Sequence, residues 1–187
     1  IVDAVEEVLQ GKTYTCFEDI NYLPASREKR VIASGTYMGY LKIAEGCNKR
    51  CTYCIIPKVR GNYRSVPIED LVAQAKYLVA NGITEICLVA QETTLYGVDL
   101  YGEKSLHKLL KELCKIPGLY WIRIQYCYPE EIYEELIQTI ATEPKICHYL
   151  DLPIQHCNDA ILKKMGRRTN KQQLIDKIEQ LRAAIPD

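Results

Sequence analysis

Three thiols stand close together in Cys47-Asn-Lys-Arg-Cys51-Thr-Tyr-Cys54, spaced C-x3-C-x2-C. Thiolates are soft ligands suited to iron–sulfur clusters, zinc or copper(I). A structural zinc closes its shell with four ligands, usually drawn from two separated pairs. This stretch offers three and no fourth beside them; the nearest histidine, His107, lies far along the chain. Three thiolates on a four-iron cluster leave one iron open, and an open coordination position is what a catalytic metal site keeps. The cysteines sit in a polar, basic stretch, whereas inert cysteines sit in apolar surroundings. Two other readings stay open on the residues alone: three ordinary buried cysteines, and a non-catalytic zinc or redox-sensing module.

The elements that must carry this loop follow from periodicity and breakers. Ile1 to Gln10 reads as a short helix ended by Gly11. Residues 12–35 are polar without a clear period and read as a linker. From Tyr40 onward short apolar runs alternate with amphipathic stretches. Strands are expected over Tyr40–Ala44, Glu85–Ala90, Tyr120–Tyr126 and His148–Ile154. Helices are expected over Ile68–Ala80, Ser105–Lys115, Glu130–Ala141, Asp159–Met165 and Asn170–Ala184. Pro67 precedes the first of these, Asn81-Gly82 ends it, and Asn158 is placed to cap the fourth.

Strands alternating with helices imply a parallel sheet with helical crossovers, an α/β fold. The alternation does not separate an open sheet from a partial barrel, and four βα units are too few for a full eight-unit barrel. In either architecture ligands sit at the C-terminal ends of the strands. The segments after the strands are therefore the ones to read for function: 45–65, 91–102, 127–129 and 155–157. The first is the longest and holds the three cysteines.

Composition narrows the setting. The chain has 187 residues, 48% of them hydrophobic, and 24 basic against 24 acidic side chains. That balance offers no broad field for a polyanion. No stretch approaches the apolar length of a membrane span, and no signal-peptide pattern opens the chain. The nine cysteines are odd in number and irregular in spacing, so they do not read as a disulfide framework. Cys87, Cys114 and Cys147 sit alone inside apolar runs and read as small core residues. Together these features predict a protein of the reducing cytoplasm, with no membrane partner.

Cys47–Cys54, with Tyr53 as its aromatic, resembles the C-x3-C-x-aromatic-C motif of the radical S-adenosylmethionine (SAM) superfamily. The resemblance implies a partial (β/α)6 barrel, of which four of six βα units are expected here. It implies that Cys47, Cys51 and Cys54 bind three irons of a [4Fe-4S] cluster. The fourth iron would be chelated by the amino and carboxylate groups of SAM, whose reductive cleavage yields a 5′-deoxyadenosyl radical. It also implies SAM contacts for Tyr53, for the Gln91–Thr94 segment with Gln91 and Thr93 as candidates, and for Gln155 after the fourth strand.

The likeness runs further. Leu41-Lys-Ile-Ala-Glu-Gly-Cys47, Cys54-Ile-Ile-Pro-Lys-Val-Arg-Gly61, and Arg64-Ser65 with Pro67 resemble the methylthiotransferases of that superfamily. These enzymes insert sulfur and a methyl group at an unactivated C–H bond. Two branches compete: one modifies an adenosine of transfer RNA, the other (the RimO type) an aspartate of a small-subunit ribosomal protein. Val89-Ala-Gln-Glu-Thr-Thr-Leu-Tyr-Gly97, Tyr126-Cys-Tyr-Pro129 and Asp151-Leu-Pro-Ile-Gln-His156 resemble the ribosomal branch.

The resemblance covers residues 36–187, a core truncated at its C-terminal end. Residues 1–35 then read as the tail of a preceding N-terminal domain plus a linker. That domain would carry a second [4Fe-4S] cluster, for which Cys16 alone cannot suffice, so residues 1–187 by themselves are expected to be incomplete for turnover. The implied partners are the ribosomal protein, recognised through the missing domains, and an external electron donor such as flavodoxin or ferredoxin. Lys58, Arg60 and Arg64 offer charges for a carboxylate, but a solvated basic loop is the plainer expectation. His156 reads as a hydrogen-bonded structural histidine rather than a proton donor, and Tyr126 and Tyr128 as packing at a strand end.

Overall fold

A computed structural model describes residues 1–17, 19–21, 23 and 37–186. Most of the linker expected over 12–35 lies outside the described residues. In chain order the elements are α1 (Val2–Leu9), β1 (Met38–Lys42), β2 (Ala44–Glu45), α2 (Ile56–Arg60), β3 (Arg64–Ser65), α3 (Ile68–Ala80), β4 (Glu85–Val89), α4 (Val98–Tyr101) and α5 (Leu106–Cys114). They continue with β5 (Trp121–Ile124), a 3-10 turn (Pro129–Glu131), α6 (Glu134–Thr142), β6 (Ile146–Leu150), α7 (Asp159–Lys164) and α8 (Lys171–Ala184).

β1, β4, β5 and β6 form one parallel sheet in that order. The sheet grows in one direction only. A doubly wound sheet reverses direction at its middle, whereas the wall of a barrel adds each strand on the same side. Strand order thus decides what periodicity left open, and four βα units of a partial barrel result.

The core lies between the sheet and its helices. Leu106, Leu109, Leu110 and Leu113 of α5 recur at helical spacing and are all fully buried. Leu71, Ala75 and Leu78 of α3 and Leu136, Ile137 and Ile140 of α6 do the same. They share one cluster with Ile86, Leu88, Ile122, Ile124 and Ile146 of the sheet. Each large side chain so buried contributes on the order of 2 kcal/mol before entropy is charged against it. Local signals start the helices. Asn158 accepts from the amides of Ala160 and Ile161 at the head of α7. Asn170 and Gln173 form a reciprocal capping box at the head of α8.

β1 (expected over Tyr40–Ala44) and β5 (expected over Tyr120–Tyr126) shift by one or two residues, and two boundaries differ by more. The fourth strand of the sheet spans Ile146–Leu150, not His148–Ile154. Asp151 leaves the ladder because its carboxylate takes the Tyr126 amide and its carbonyl takes the Cys127 amide. Pro153 then has no N–H to give a ladder. The helix expected over Glu130–Ala141 begins at Glu134, because Ile132 and Tyr133 are extended. Lys177 Nζ holds the Ile132 carbonyl at 3.0 Å in that break.

Candidate metal centre

The cysteine loop leaves the C-terminal end of β1 through a short neck. β2 and β3 pair antiparallel, Ala44 with Ser65 and Glu45 with Arg64, so the loop's two ends are clamped together. Inside the neck the Cys47 amide donates to the Gly61 carbonyl at 3.2 Å, and the Tyr63 amide donates to Asn48 Oδ1 at 3.1 Å. The far side of the loop docks on α7: Thr52 donates from its amide to Met165 O and from Oγ1 to Lys164 O, each at 3.0 Å. Asp99 of α4 braces β3, accepting from the Ser65 amide at 2.8 Å and the Ser65 hydroxyl at 2.6 Å.

Cys47 and Cys51 are buried and Cys54 is partly so. All three line one cavity of about 790 Å³, together with Asn48, Arg50, Lys58 and Asn62. Among the described residues, no three His, Cys, Asp or Glu side chains are grouped to hold one metal ion. Three soft thiols lining one shared cavity suit an iron–sulfur cluster by their chemistry. They do not form the closed shell of the zinc alternative. Burial above all, then the Glu92 carboxylate and the other two thiols, pushes the Cys47 thiol up in pKa. The metal-free loop therefore favours the thiol at Cys47, and loading must displace its proton.

Gly46 is where the loop departs from β2. Its φ is +77°, and a Cβ there would run into the Asn62 carbonyl, which belongs to the opposite side of the neck. Gly61 sits across from it at φ +71°, with Asn21 Oδ1 2.7 Å from where a Cβ would be. A Gly46→Ala substitution should cost roughly 2–4 kcal/mol, the sum of a left-handed backbone and an overpacked contact. Urea denaturation of the apoprotein checks this; a loss below 0.5 kcal/mol, the scatter of ordinary surface changes, would sink it.

The segment after β4 brings Gln91, Glu92, Thr93 and Thr94 toward the loop. The structure separates their roles. Thr93 Oγ1 donates to the Gln125 carbonyl at 2.7 Å and its amide to Tyr126 O at 3.1 Å, so its polar groups tie this segment to the end of β5. Gln91 keeps a buried Oε1 without a hydrogen-bond partner among the described residues. Glu92 is fully buried. Its Oε1 accepts from the Thr94 amide at 2.9 Å and from the Thr94 hydroxyl, while Oε2 is buried with no partner among the described residues. Burial is the main cause that pushes its carboxyl up to about 7. Tyr63, from the neck of the cysteine loop, donates its hydroxyl to the Glu92 carbonyl at 2.9 Å. A buried carboxylate with one open oxygen beside the cysteine loop leaves an acceptor for a hydrogen-bond donor or a cation. In the sequence Glu92 stands within the Gln91–Thr94 segment, of which only its neighbours Gln91 and Thr93 are singled out. The signal available was a charged residue in an otherwise uncharged run after a buried strand.

The remaining candidates divide. Tyr53 is 53% exposed on the loop, near Cys51 and Arg167. Gln155 is exposed and sits at φ +67°; Tyr126, after β5, sits at +58°. These are the only non-glycine residues with positive φ among those described, and both follow C-terminal strand ends. Strain of this kind gathers at functional sites. Arg64 is drawn away from the cavity, donating to the carbonyls of Ile20 and Arg60 at 3.1 Å each. Arg60 faces Glu45 at 3.9 Å, while Lys58 lines the cavity. His156 Nδ1 accepts the Asn158 amide at 2.9 Å, a structural use. His107 contacts the Tyr133 hydroxyl at 3.0 Å.

Comparison with known proteins adds the lineage. The sequence signature of the radical SAM superfamily matches residues 41–187. The chain belongs to this superfamily. It is 58% identical over 187 residues to the ribosomal protein uS12 methylthiotransferase RimO of Lachnoclostridium phytofermentans, covering all of this chain and 42% of that one. It is 55% identical over 185 residues to the protein of the same name from Clostridium acetobutylicum, again over 42% of its length. The chain thus spans less than half of these curated relatives. Among solved structures, the apo form of the cobalamin-dependent radical SAM enzyme OxsB superposes with TM-score 0.64 at 14% identity, over 98% of this chain and 30% of that one. The radical SAM methyltransferase TsrM of Kitasatospora setae, with cobalamin and a [4Fe-4S] cluster bound, gives 0.61 at 20% identity, over 78% and 28%. These likenesses establish the radical SAM fold. Among the described residues no helix is long and apolar enough to cross a membrane.

Proposed function

We propose that this chain is the radical-generating core of a methylthiotransferase acting on an aspartate of ribosomal protein uS12. The observation that carries the reading is the cavity lined by Cys47, Cys51 and Cys54 at the C-terminal end of β1, in a chain with 58% identity to a uS12 methylthiotransferase. A [4Fe-4S] cluster held there, with SAM on its open iron, supplies one-electron cleavage of the sulfonium.

The chain's own residues bind and orient. Cys47, Cys51 and Cys54 are the metal ligands. Glu92 Oε2 takes an N–H of the SAM amino group, and Thr94 fixes the carboxylate's other oxygen. Tyr53, Gln91 and Gln155 line the approach to SAM from three separate segments. Thr93 positions this wall by bonding the end of β5. The neck of β2 and β3 keeps the loop closed on its outer side.

Residues 36–187 supply this core and residues 1–35 the join to a preceding domain. A second cluster, recognition of uS12 and docking of a flavodoxin- or ferredoxin-like donor belong to the remainder of the longer protein, which works in the cytoplasm. Identity of 54–58% to several proteins named for uS12 favours the ribosomal branch over transfer RNA. Full-length protein, reduced anaerobically with SAM and a sulfur source, should add a methylthio group to one uS12 aspartate by mass spectrometry. Replacing that aspartate with alanine should abolish the mass gain. Modification of transfer RNA instead, with uS12 untouched, would overturn the substrate assignment.

A further inference from the structure

Behind Cys47 and Cys51 lies a charged assembly that the ligand set does not explain. Tyr128, just past β5, carries two cations on its ring. The Arg167 guanidinium lies 4.3 Å from the ring centroid and Lys49 Nζ lies 5.0 Å from it. Lys49 belongs to the loop between Cys47 and Cys51; Arg167 follows α7, whose end anchors that loop through Thr52. Lys49 and Lys104 both pair with Glu131, and Arg167 pairs with Glu130 at 3.1 Å. Three cations thus meet two carboxylates.

Arg167 is the telling member. Its side chain is 1% exposed. Nη2 donates to Glu130 Oε2 and to the Pro153 carbonyl at 3.3 Å. Nε and Nη1 are buried with no hydrogen-bond partner among the described residues. Each such buried donor costs about 1–3 kcal/mol unless something charged meets it. Arg167 lies by Tyr53, which touches Cys51, and the Tyr128 phenol neighbours Cys51 and Cys47. A cluster with its thiolates is an anion, and positive charge and O–H donors near its sulfurs stabilise the reduced state over the oxidised one.

We propose that Arg167 and Tyr128 form a buried cationic shell around Cys47 and Cys51 that raises the reduction potential of the cluster. They are positioning residues, for Tyr128 neighbours Cys47 and Cys51, Arg167 packs on Tyr128, and both stand away from the reacting atoms. The inference rests on the cluster reading above.

The test is a redox titration of the anaerobically reconstituted full-length protein, followed by electron paramagnetic resonance. The signal lost in the Cys47→Ala/Cys51→Ala/Cys54→Ala variant identifies this cluster. Arg167→Gln should shift its reduction equilibrium at least tenfold toward the oxidised state, about 59 mV more negative for one electron. Tyr128→Phe, which keeps the ring and its stacking, should shift it the same way by less. Arg167→Lys, which keeps the charge, should recover most of the Arg167→Gln shift. Variants that load iron normally yet keep the wild-type potential would overturn the proposal. So would variants that lose iron while the loaded fraction titrates as wild type, since that marks a purely structural role. A wild-type protein that forms no cluster on this triad would instead overturn the reading beneath it.

Discussion

Replacing any one of Cys47, Cys51 or Cys54 with alanine should abolish both the brown colour of the reconstituted site and SAM cleavage, down to the buffer background. The three thiols share one cavity and come from one loop, so none has a substitute within reach. Among the described residues no other cysteine lines that cavity: Cys87 and Cys147 lie in β4 and β6, Cys114 ends α5, Cys127 is buried just past β5, Cys157 lies beyond β6 and Cys16 before β1. A cluster short of one thiolate exposes a second iron to water. The loss should not come from misfolding. Cys47 and Cys51 are small buried groups whose truncation removes only a sulfur, and neighbouring backbone bonds such as Cys54 N–H to Cys51 O at 3.0 Å remain available. The apo variants should therefore unfold within about 1–2 kcal/mol of wild-type apoprotein. Iron and sulfide analysis, visible absorption and an anaerobic cleavage assay check this together. Full iron content or cleavage surviving any one of the three changes would refute the ligand assignment.

Glu92→Gln should do two opposite things. It should weaken SAM binding by about 2–3 kcal/mol, the worth of a hydrogen bond to a charged group, or roughly 30- to 150-fold in Kd. It should also stabilise the apoprotein at alkaline pH. The sign follows from linkage. In the unfolded chain Glu92 loses its proton near its ordinary value of 4.5, while burial holds the folded carboxyl up to about 7. Between those values the folded state binds more protons, so apoprotein stability falls as pH rises through the window and levels off above about 7. A displacement of this size corresponds to about 3 kcal/mol. Glutamine keeps an oxygen for the Thr94 donors and removes the charge, so it should erase that fall. Urea titrations at pH 5 and pH 8 read the stability, and anaerobic calorimetry of the reconstituted protein reads the affinity. An unchanged Kd would remove Glu92 from the site; a wild-type apoprotein no less stable at pH 8 than at pH 5, relative to the variant, would remove the buried charge. The carboxylate is then held at a cost to stability that the cofactor's amino group offsets.

The three cysteines were legible because their chemistry is local. Ligand type, count and spacing all lie within one short stretch, and the loop's place after a strand follows from the βα alternation. The same holds for helix ends that local chemistry sets, such as Asn158 and Asn170. What failed was decided between segments. The Tyr120–Tyr126 and His148–Ile154 runs look continuous by periodicity, but Tyr126 and Asp151 bond to each other and end β5 and β6 early. Glu92 reads only as part of the Gln91–Thr94 segment, because a carboxylate in a polar run looks solvated until the fold closes over it. Thr93 was chosen for a hydroxyl that the structure directs to the backbone of β5.

By itself, then, the amino-acid sequence determined the α/β class and the superfamily and offered the three cysteines as the ligand candidates, all of which rest on residue identity at short separation. Only the tertiary structure decided that the sheet grows one way into a barrel wall, that a buried carboxylate faces Cys47, and that Arg167 and Tyr128 stand behind the cysteines. Those outcomes depend on burial and on charges brought together from strand ends far apart in the chain, and neither quantity exists until the chain is packed.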